Sequence, residues 1–76
     1  MTERKMPMVY DSELRRWVAE GKTEWYSLHC GEFIRLHVGS HRLDGRLKLG
    51  KTWYVIVDNV PIGLIEGRRY LVTIEL

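Results

Sequence analysis

Cys30 is the single cysteine of this 76-residue sequence, so the fold cannot rest on a disulfide closed within the chain. Proline is scarce too, with two residues, Pro7 and Pro61. No apolar run approaches the length of a signal-peptide core or a membrane-spanning helix, and the expectation is a soluble, cytoplasmic protein. Neither sign of charge dominates. Twelve Lys and Arg against ten Asp and Glu leave a net +2, too small an excess to indicate a nucleic-acid partner unless the charges are gathered in one place. Also lacking are a nucleophile and base in register, a close cysteine pair, a glycine-rich phosphate loop and a clustered carboxylate pair. No catalytic residue, metal site or cofactor is therefore expected, and an enzyme has no reaction class to name.

What is present is ordinary globular composition, 45% apolar and 29% charged, in a length that makes one small domain burying only about 60% of its unfolded surface. Residues 1–9, with mixed charge and no periodicity, read as a flexible N-terminal arm. Residues 10–76 read as a single domain. At its start Asp11 or Ser12 suits a helix N-cap, and Glu13 suits the first turn. Leu14, Trp17 and Val18 fall at i, i+3 and i+4, and Gly21 offers a left-handed stop, which together predict a short amphipathic helix over about residues 12–20.

From about residue 24 the pattern changes to period two, rich in β-branched and aromatic residues and punctuated by glycines. A two-residue Gly39-Ser40 loop of type II′ sets Leu36 opposite Leu43, Arg35 opposite Asp44 and Phe33 opposite Arg46. A Gly50-Lys51 loop of the same length sets Leu47 opposite Tyr54 and Lys48 opposite Trp53. A three-residue Cys30-Gly31-Glu32 loop keeps the preceding hairpin in phase with both. The expected core face then carries Tyr26, Leu28, Ile34, Leu36, Leu43, Leu47, Tyr54 and Ile56. The other face carries Trp25, Phe33, Arg35, Arg42, Arg46, Lys48 and Trp53, with His29, His37, Val55 and Val57. Gly45, mid-strand opposite Ile34, reads as a bulge or sharp bend.

Asp58-Asn59 is a turn pair, Pro61 makes the next segment an edge or irregular piece, and Glu66-Gly67 turns the chain again. Tyr70 to Leu76 reads as the last strand, with Tyr70, Val72, Ile74 and Leu76 on one face and Leu71, Thr73 and Glu75 on the other. The expected fold is mainly β: five or six short strands in an SH3-like barrel or strongly curved antiparallel sheet, with one N-terminal helix. The helix has two possible seats, over Trp53, Val55 and Val57 or in the end of the barrel.

Leu28-His29-Cys30-Gly31-Glu32, then Gly45-Arg46-Leu47-Lys48-Leu49, then Trp53-Tyr54-Val55-Ile56 form a pattern that resembles a small bacterial family, domain of unknown function 5348. The resemblance covers about residues 24–76. It implies short cytosolic proteins of Firmicutes, often carried on phage or conjugative elements, with no assigned activity and no catalytic residue to carry over.

Two clusters invite a chemical reading. Cys30 with His29, His37 and His41 offers zinc-compatible ligands, but neighbouring strand residues point apart and the spacing is not that of a zinc site; a plain turn thiol with surface histidines accounts for them. The aromatic and basic face is the other. Bases stack on aromatic rings while Arg and Lys follow phosphates, and Trp25, Phe33, Arg35, Arg42, Arg46, Lys48 and Trp53 supply both parts. The competing account is a solvated face on which Arg35 pairs with Asp44 and Arg46 covers Phe33. The expected function is thus a non-enzymatic binding module, an accessory protein of a mobile element contacting nucleic acid. The alternative is a protein-interaction module using an exposed strand edge or the Trp53 patch.

Overall fold

A computed structural model describes residues 4–75; residues 1–3 of the expected arm and Leu76 of the expected last strand lie outside the described residues. The chain forms eight strands: β1 (Met6–Asp11), β2 (Arg16–Glu20), β3 (Trp25–Ser27), β4 (Phe33–Val38), β5 (His41–Leu49), β6 (Trp53–Val57), β7 (Val60–Gly63) and β8 (Tyr70–Ile74). They make one antiparallel sheet in the order β3-β2-β1-β8-β4-β5-β6-β7. Two meanders, β1 to β3 and β4 to β7, are joined by β8, which pairs with β1 on one side and β4 on the other. The mainly β expectation holds. The SH3-like barrel of five or six strands with a helix does not, because the sheet is open at β3 and β7 and no helix occurs among the described residues.

The helix expected over 12–20 is a turn followed by β2. Its cap is real: the Asp11 carboxylate accepts from the backbone N–H of Glu13 at 2.9 Å and of Leu14 at 3.0 Å. Arg15 then takes a positive φ of 56°, a left-handed conformation that stops the helical path after one turn. Trp17 and Val18, adjacent on a strand, consequently point to opposite faces. Both are buried, Trp17 in the core and Val18 outside the core cluster. Gly21 is not a left-handed stop either; its backbone passes so close to Glu24 that a Cβ would lie 2.7 Å from the Glu24 carbonyl oxygen. The expected arm is likewise corrected, since Met6 and Met8 are core residues of β1 paired to β2 and β8.

One face of the sheet collects the core, with Met6, Met8, Trp17, Ala19, Leu28, Ile34, Leu36, Leu47, Trp53, Val55, Leu64 and Val72 in a single cluster. A flat layer would leave these side chains open to water. Their burial within a single sheet, in a molecule 36 × 30 × 20 Å across, requires the sheet to bend over its own apolar face. Trp17 anchors one end, flanked edge-on by Tyr10 and Tyr70 with ring centroids 5.6 Å away in each case.

The three hairpins expected from turn glycines fare differently. Gly39-Ser40 gives the expected register, Phe33 opposite Arg46 through Val38 opposite His41, and Gly39 takes the positive φ that a II′ loop needs. No β3–β4 hairpin forms. β3 pairs with β2, and the Cys30-Gly31 turn leans instead on β5, where Gly31 N–H donates to the Leu47 carbonyl at 2.6 Å and Leu47 N–H to the Glu32 carbonyl at 2.9 Å. The Gly50 loop has three residues, so Leu49 faces Trp53 and Leu47 faces Val55. One residue of slip exchanges the faces of β6. Trp53 and Val55 are buried and Val57 packs on the core, whereas Tyr54 and Ile56 turn outward.

Gly45 makes that arrangement possible. No bulge interrupts the β4–β5 pairs around it. A Cβ at Gly45 would lie 2.6 Å from both the Ile56 carbonyl oxygen and Val55 Cγ1, so the missing side chain lets the inward valines of β6 approach. The later turns match expectation: Asp58 and Asn59 both have positive φ between Val57 and Val60, as a type I′ loop requires. β7, which carries Pro61, is an edge strand. β8 carries Tyr70, Val72 and Ile74 toward the core but runs through the middle of the sheet.

Candidate nucleic-acid interface

The convex face of β4, β5 and β6 holds most of the expected site. On β4 it presents Phe33, Arg35 and His37, and on β5 their partners Arg46, Asp44 and Arg42. Alternation along β5 places Arg42, Asp44, Arg46 and Lys48 in one row, about 6.8 Å apart at ~3.4 Å per residue. β6 adds Tyr54, opposite Lys48, and Ile56, opposite Arg46. The sequence pattern hides these two residues, because a two-residue Gly50-Lys51 loop sets β6 in the opposite phase to the three-residue loop that forms. The available signal was the larger apolar gain of burying Trp53, Val55 and Val57.

Phe33 is 55% exposed, and the Arg46 guanidinium sits over its ring, 4.2 Å from the centroid. The pairing β4–β5 register produces this stack directly. A concavity of about 330 Å³ lies on one side of Phe33, lined by Arg46, Lys48, Ile56, Asp58 and Asn59 among others. A second, of about 430 Å³, lies toward β8 with Arg35, Asp44 and Thr73 in its wall. The ring stands between two depressions, one edged by Arg46 and Lys48 and the other by the Arg35–Asp44 pair and Glu75.

Arg35 Nε donates to Asp44 Oδ1 at 2.6 Å and its Nη2 to Oδ2 at 3.4 Å. That hydrogen bond holds the Asp44 carboxyl below its ordinary range, with the positive fields of Arg35, Arg42 and His37 adding to it. Next to the pair, Thr73 Oγ1 donates its one proton to the Arg4 carbonyl at 3.2 Å, so His37 Nε2, 2.8 Å away, must be the donor in their contact. His37 is thereby fixed as the Nε2–H tautomer or the cation, tying β4 to β8 beside the basic row.

The remaining expected residues separate. Trp53 is 7% exposed on the opposite face of the sheet, and it leaves the candidate interface. Trp25 is 65% exposed on the convex side, but β2, β1 and β8 stand between β3 and β4, placing it roughly 19 Å around the sheet at ~4.8 Å per strand. Of the expected set, Phe33, Arg35, Arg42, Arg46 and Lys48 are thus brought together and Trp25 and Trp53 are not.

The ligand-like side chains do not converge. His29 Nδ1 accepts from Arg16 at 3.0 Å, since arginine has no acceptor, and Cys30 is an exposed thiol in the turn between β3 and β4. Among the described residues no three His, Cys, Asp or Glu side chains are grouped to hold a metal. No helix among them is long and apolar enough to cross a membrane.

No curated protein matches the sequence. The fold is similar to the crystal structure of a protein from Ruminococcus gnavus, a target of the Northeast Structural Genomics Consortium. That similarity has a TM-score of 0.70 and 27% identity over 93% of this chain and 100% of that one. The sequence motifs around Cys30, Gly45 and Trp53 that carry the family resemblance are the turn on β5, the close approach of β6 and the buried indole. The family match extends past them to take in β1 and β2, running over residues 7–74, and the chain belongs to the family Domain of unknown function (DUF5348).

Proposed function

We propose that this protein is a non-enzymatic module that contacts nucleic acid through the convex face of β4, β5 and β6. The observation that carries the reading is the Arg46 guanidinium over the exposed Phe33 ring, with Arg42 and Lys48 in the same row of β5. A flat cation on a flat ring makes an extended surface against which an unpaired base can stack, while the neighbouring charges lie within reach of phosphates. Arg35 serves mainly to hold Asp44, which otherwise would oppose a polyanion at the centre of the row. The net charge of the protein gives little long-range attraction, so the affinity rests on this local cluster and falls with salt.

A cytoplasmic location and an accessory role for a mobile element are part of the same proposal, supported by the lone exposed Cys30 and by the family resemblance respectively. The test is a fluorescence-anisotropy titration against single-stranded and duplex DNA and RNA at low and at physiological salt. Binding that weakens as salt rises is expected. Absence of binding to all four at low salt and high protein concentration overturns the proposal.

A further inference from the structure

The two edges of the sheet are not equivalent. On β7 the Leu64 N–H bonds to the Trp53 carbonyl at 3.1 Å, which fixes the alternation: Val60 and Ile62 bond inward to β6, and Pro61 and Gly63 face the open side. Proline has no N–H, so that edge offers a single outward donor in its strand, a common way of blunting an edge. On β3 the Gly21 N–H to Glu24 carbonyl bond at 2.8 Å and the Leu28 N–H to Trp17 carbonyl bond at 2.9 Å fix the opposite situation. Tyr26 bonds inward to Ala19, and both Trp25 and Ser27 turn their N–H and C=O groups away from β2. Nothing among the hydrogen bonds within the described residues uses those four groups.

We propose that β3 is a self-pairing edge, joining antiparallel to β3 of a second copy of this chain about a two-fold axis at Tyr26. The geometry is self-complementary. With Tyr26 opposite its symmetry mate, Trp25 of each chain faces Ser27 of the other, and the four outward groups of one edge meet the four of its mate in four backbone hydrogen bonds. The side chains fit the same operation. A large residue, Trp25, stands across from a small one, Ser27, and the two Trp25 rings become diagonal neighbours within aromatic reach. No charged residue lies in Trp25–Ser27, so pairing sets no like charges against each other. A second copy also covers the Trp25 ring, 65% exposed in the single chain, and extends the sheet without disturbing the β4–β5–β6 face.

The experiment needs no nucleic acid: sedimentation equilibrium from micromolar to millimolar protein, with amide hydrogen exchange by NMR at both ends of the range. The expected result is a mass rising toward two chains. Protection of the Trp25 and Ser27 amides grows with concentration, while the Tyr26 amide, bonded within the chain, is protected throughout. Ser27→Pro removes an outward N–H that the single chain does not use, and Trp25→Lys puts a cation at the edge; each is expected to hold the mass at one chain. A single-chain mass up to millimolar concentration overturns the proposal. So does a dimer whose Trp25 and Ser27 amides stay unprotected or that survives both substitutions. Capture of an extended peptide along β3 by a chain that never self-associates overturns it as well.

Discussion

Arg46 and Phe33 face each other across β4 and β5, the guanidinium carbon 4.2 Å from the ring centroid. Two consequences separate cleanly. As an exposed cation–π pair the contact contributes about 0.5–1 kcal/mol to folding, so a double-mutant cycle of Phe33→Ala and Arg46→Ala followed by urea unfolding should give a coupling of that size. As part of a ligand surface the pair matters more. Phe33→Ala should weaken single-stranded nucleic-acid binding by about 1–3 kcal/mol, the usual worth of one base stack. Arg46→Gln and Lys48→Gln should each lower the salt slope by about 1. A protein that loses the coupling but keeps its affinity would place the ligand elsewhere.

The three tryptophans occupy three environments. Trp17 and Trp53 are buried and Trp25 is exposed. Trp53→Ala should therefore cost about 3–5 kcal/mol by removing a large core side chain, whereas Trp25→Ala at dilute protein should stay within about 0.5 kcal/mol. Acrylamide quenching gives an independent check. The readily quenched fraction should vanish in Trp25→Phe and persist in Trp53→Phe.

Gly45 on β5 and Gly63 on β7 form a matched comparison on the two strands that flank β6. A Cβ at Gly45 meets backbone and branched side chains of β6 at 2.6 Å, while one at Gly63 meets nothing within 4 Å and the φ there is not left-handed. Gly45→Ala should lose about 1–3 kcal/mol or more through forced displacement of β6. Gly63→Ala should be neutral or gain up to about 1 kcal/mol by restricting the unfolded chain. Thermal unfolding of the two variants side by side decides the point.

These contrasts also show what was legible in the sequence. Gly39-Ser40 and Asp58-Asn59 were readable because positive φ in a two-residue loop admits few residues, and the register of β4 on β5 followed from the first of them. The pairing of β8 with β1 and β4 was not. The β1 partners lie more than sixty positions from β8 and the β4 partners more than thirty, and period-two alternation names a face without naming a neighbour. Leu14, Trp17 and Val18 failed for a different reason: their spacing suits a helix, but Trp17 and Val18 are each buried on a separate face of a strand, and Arg15 supplies the break. Of the candidate interface, the β4–β5 part was visible and the β6 part was inverted by one residue of loop length.

Asp44 and Arg35 give the pH prediction. The carboxyl has a lowered pKa in the folded chain, so the pair stabilises folding above the ordinary carboxylate range. That contribution is lost as pH falls through the lower folded value. The Asp44 side chain is 69% exposed, and water screens the pair to within about 0–1 kcal/mol. Asp44→Asn should flatten the stability curve only slightly below the ordinary carboxylate range, with no change near neutrality beyond that amount. Its effect on nucleic acid should be larger and of opposite sense, because Arg35 then faces the ligand without its carboxylate and binding tightens.

Arg15 is the residue on which the strand path of β2 turns. Its φ of 56° costs a β-bearing side chain about 1–2 kcal/mol relative to right-handed backbone, and Asp11, bonded to the Glu13 and Leu14 amides, holds the turn that imposes it. Arg15→Gly relieves the steric cost but adds about 0.5–1 kcal/mol of unfolded-state entropy, leaving a net gain of about 0–1.5 kcal/mol. Asp11→Ala removes the acceptor for two amides and should lose about 1 kcal/mol. The decisive comparison is the double variant. If the turn is what keeps 12–20 from coiling, Arg15→Gly should retain the strand spectrum by far-UV circular dichroism and tolerate Asp11→Ala better than the parent does. Losses in the double variant that simply add would mean that the positive φ of Arg15 follows from β1–β2 pairing instead of directing it.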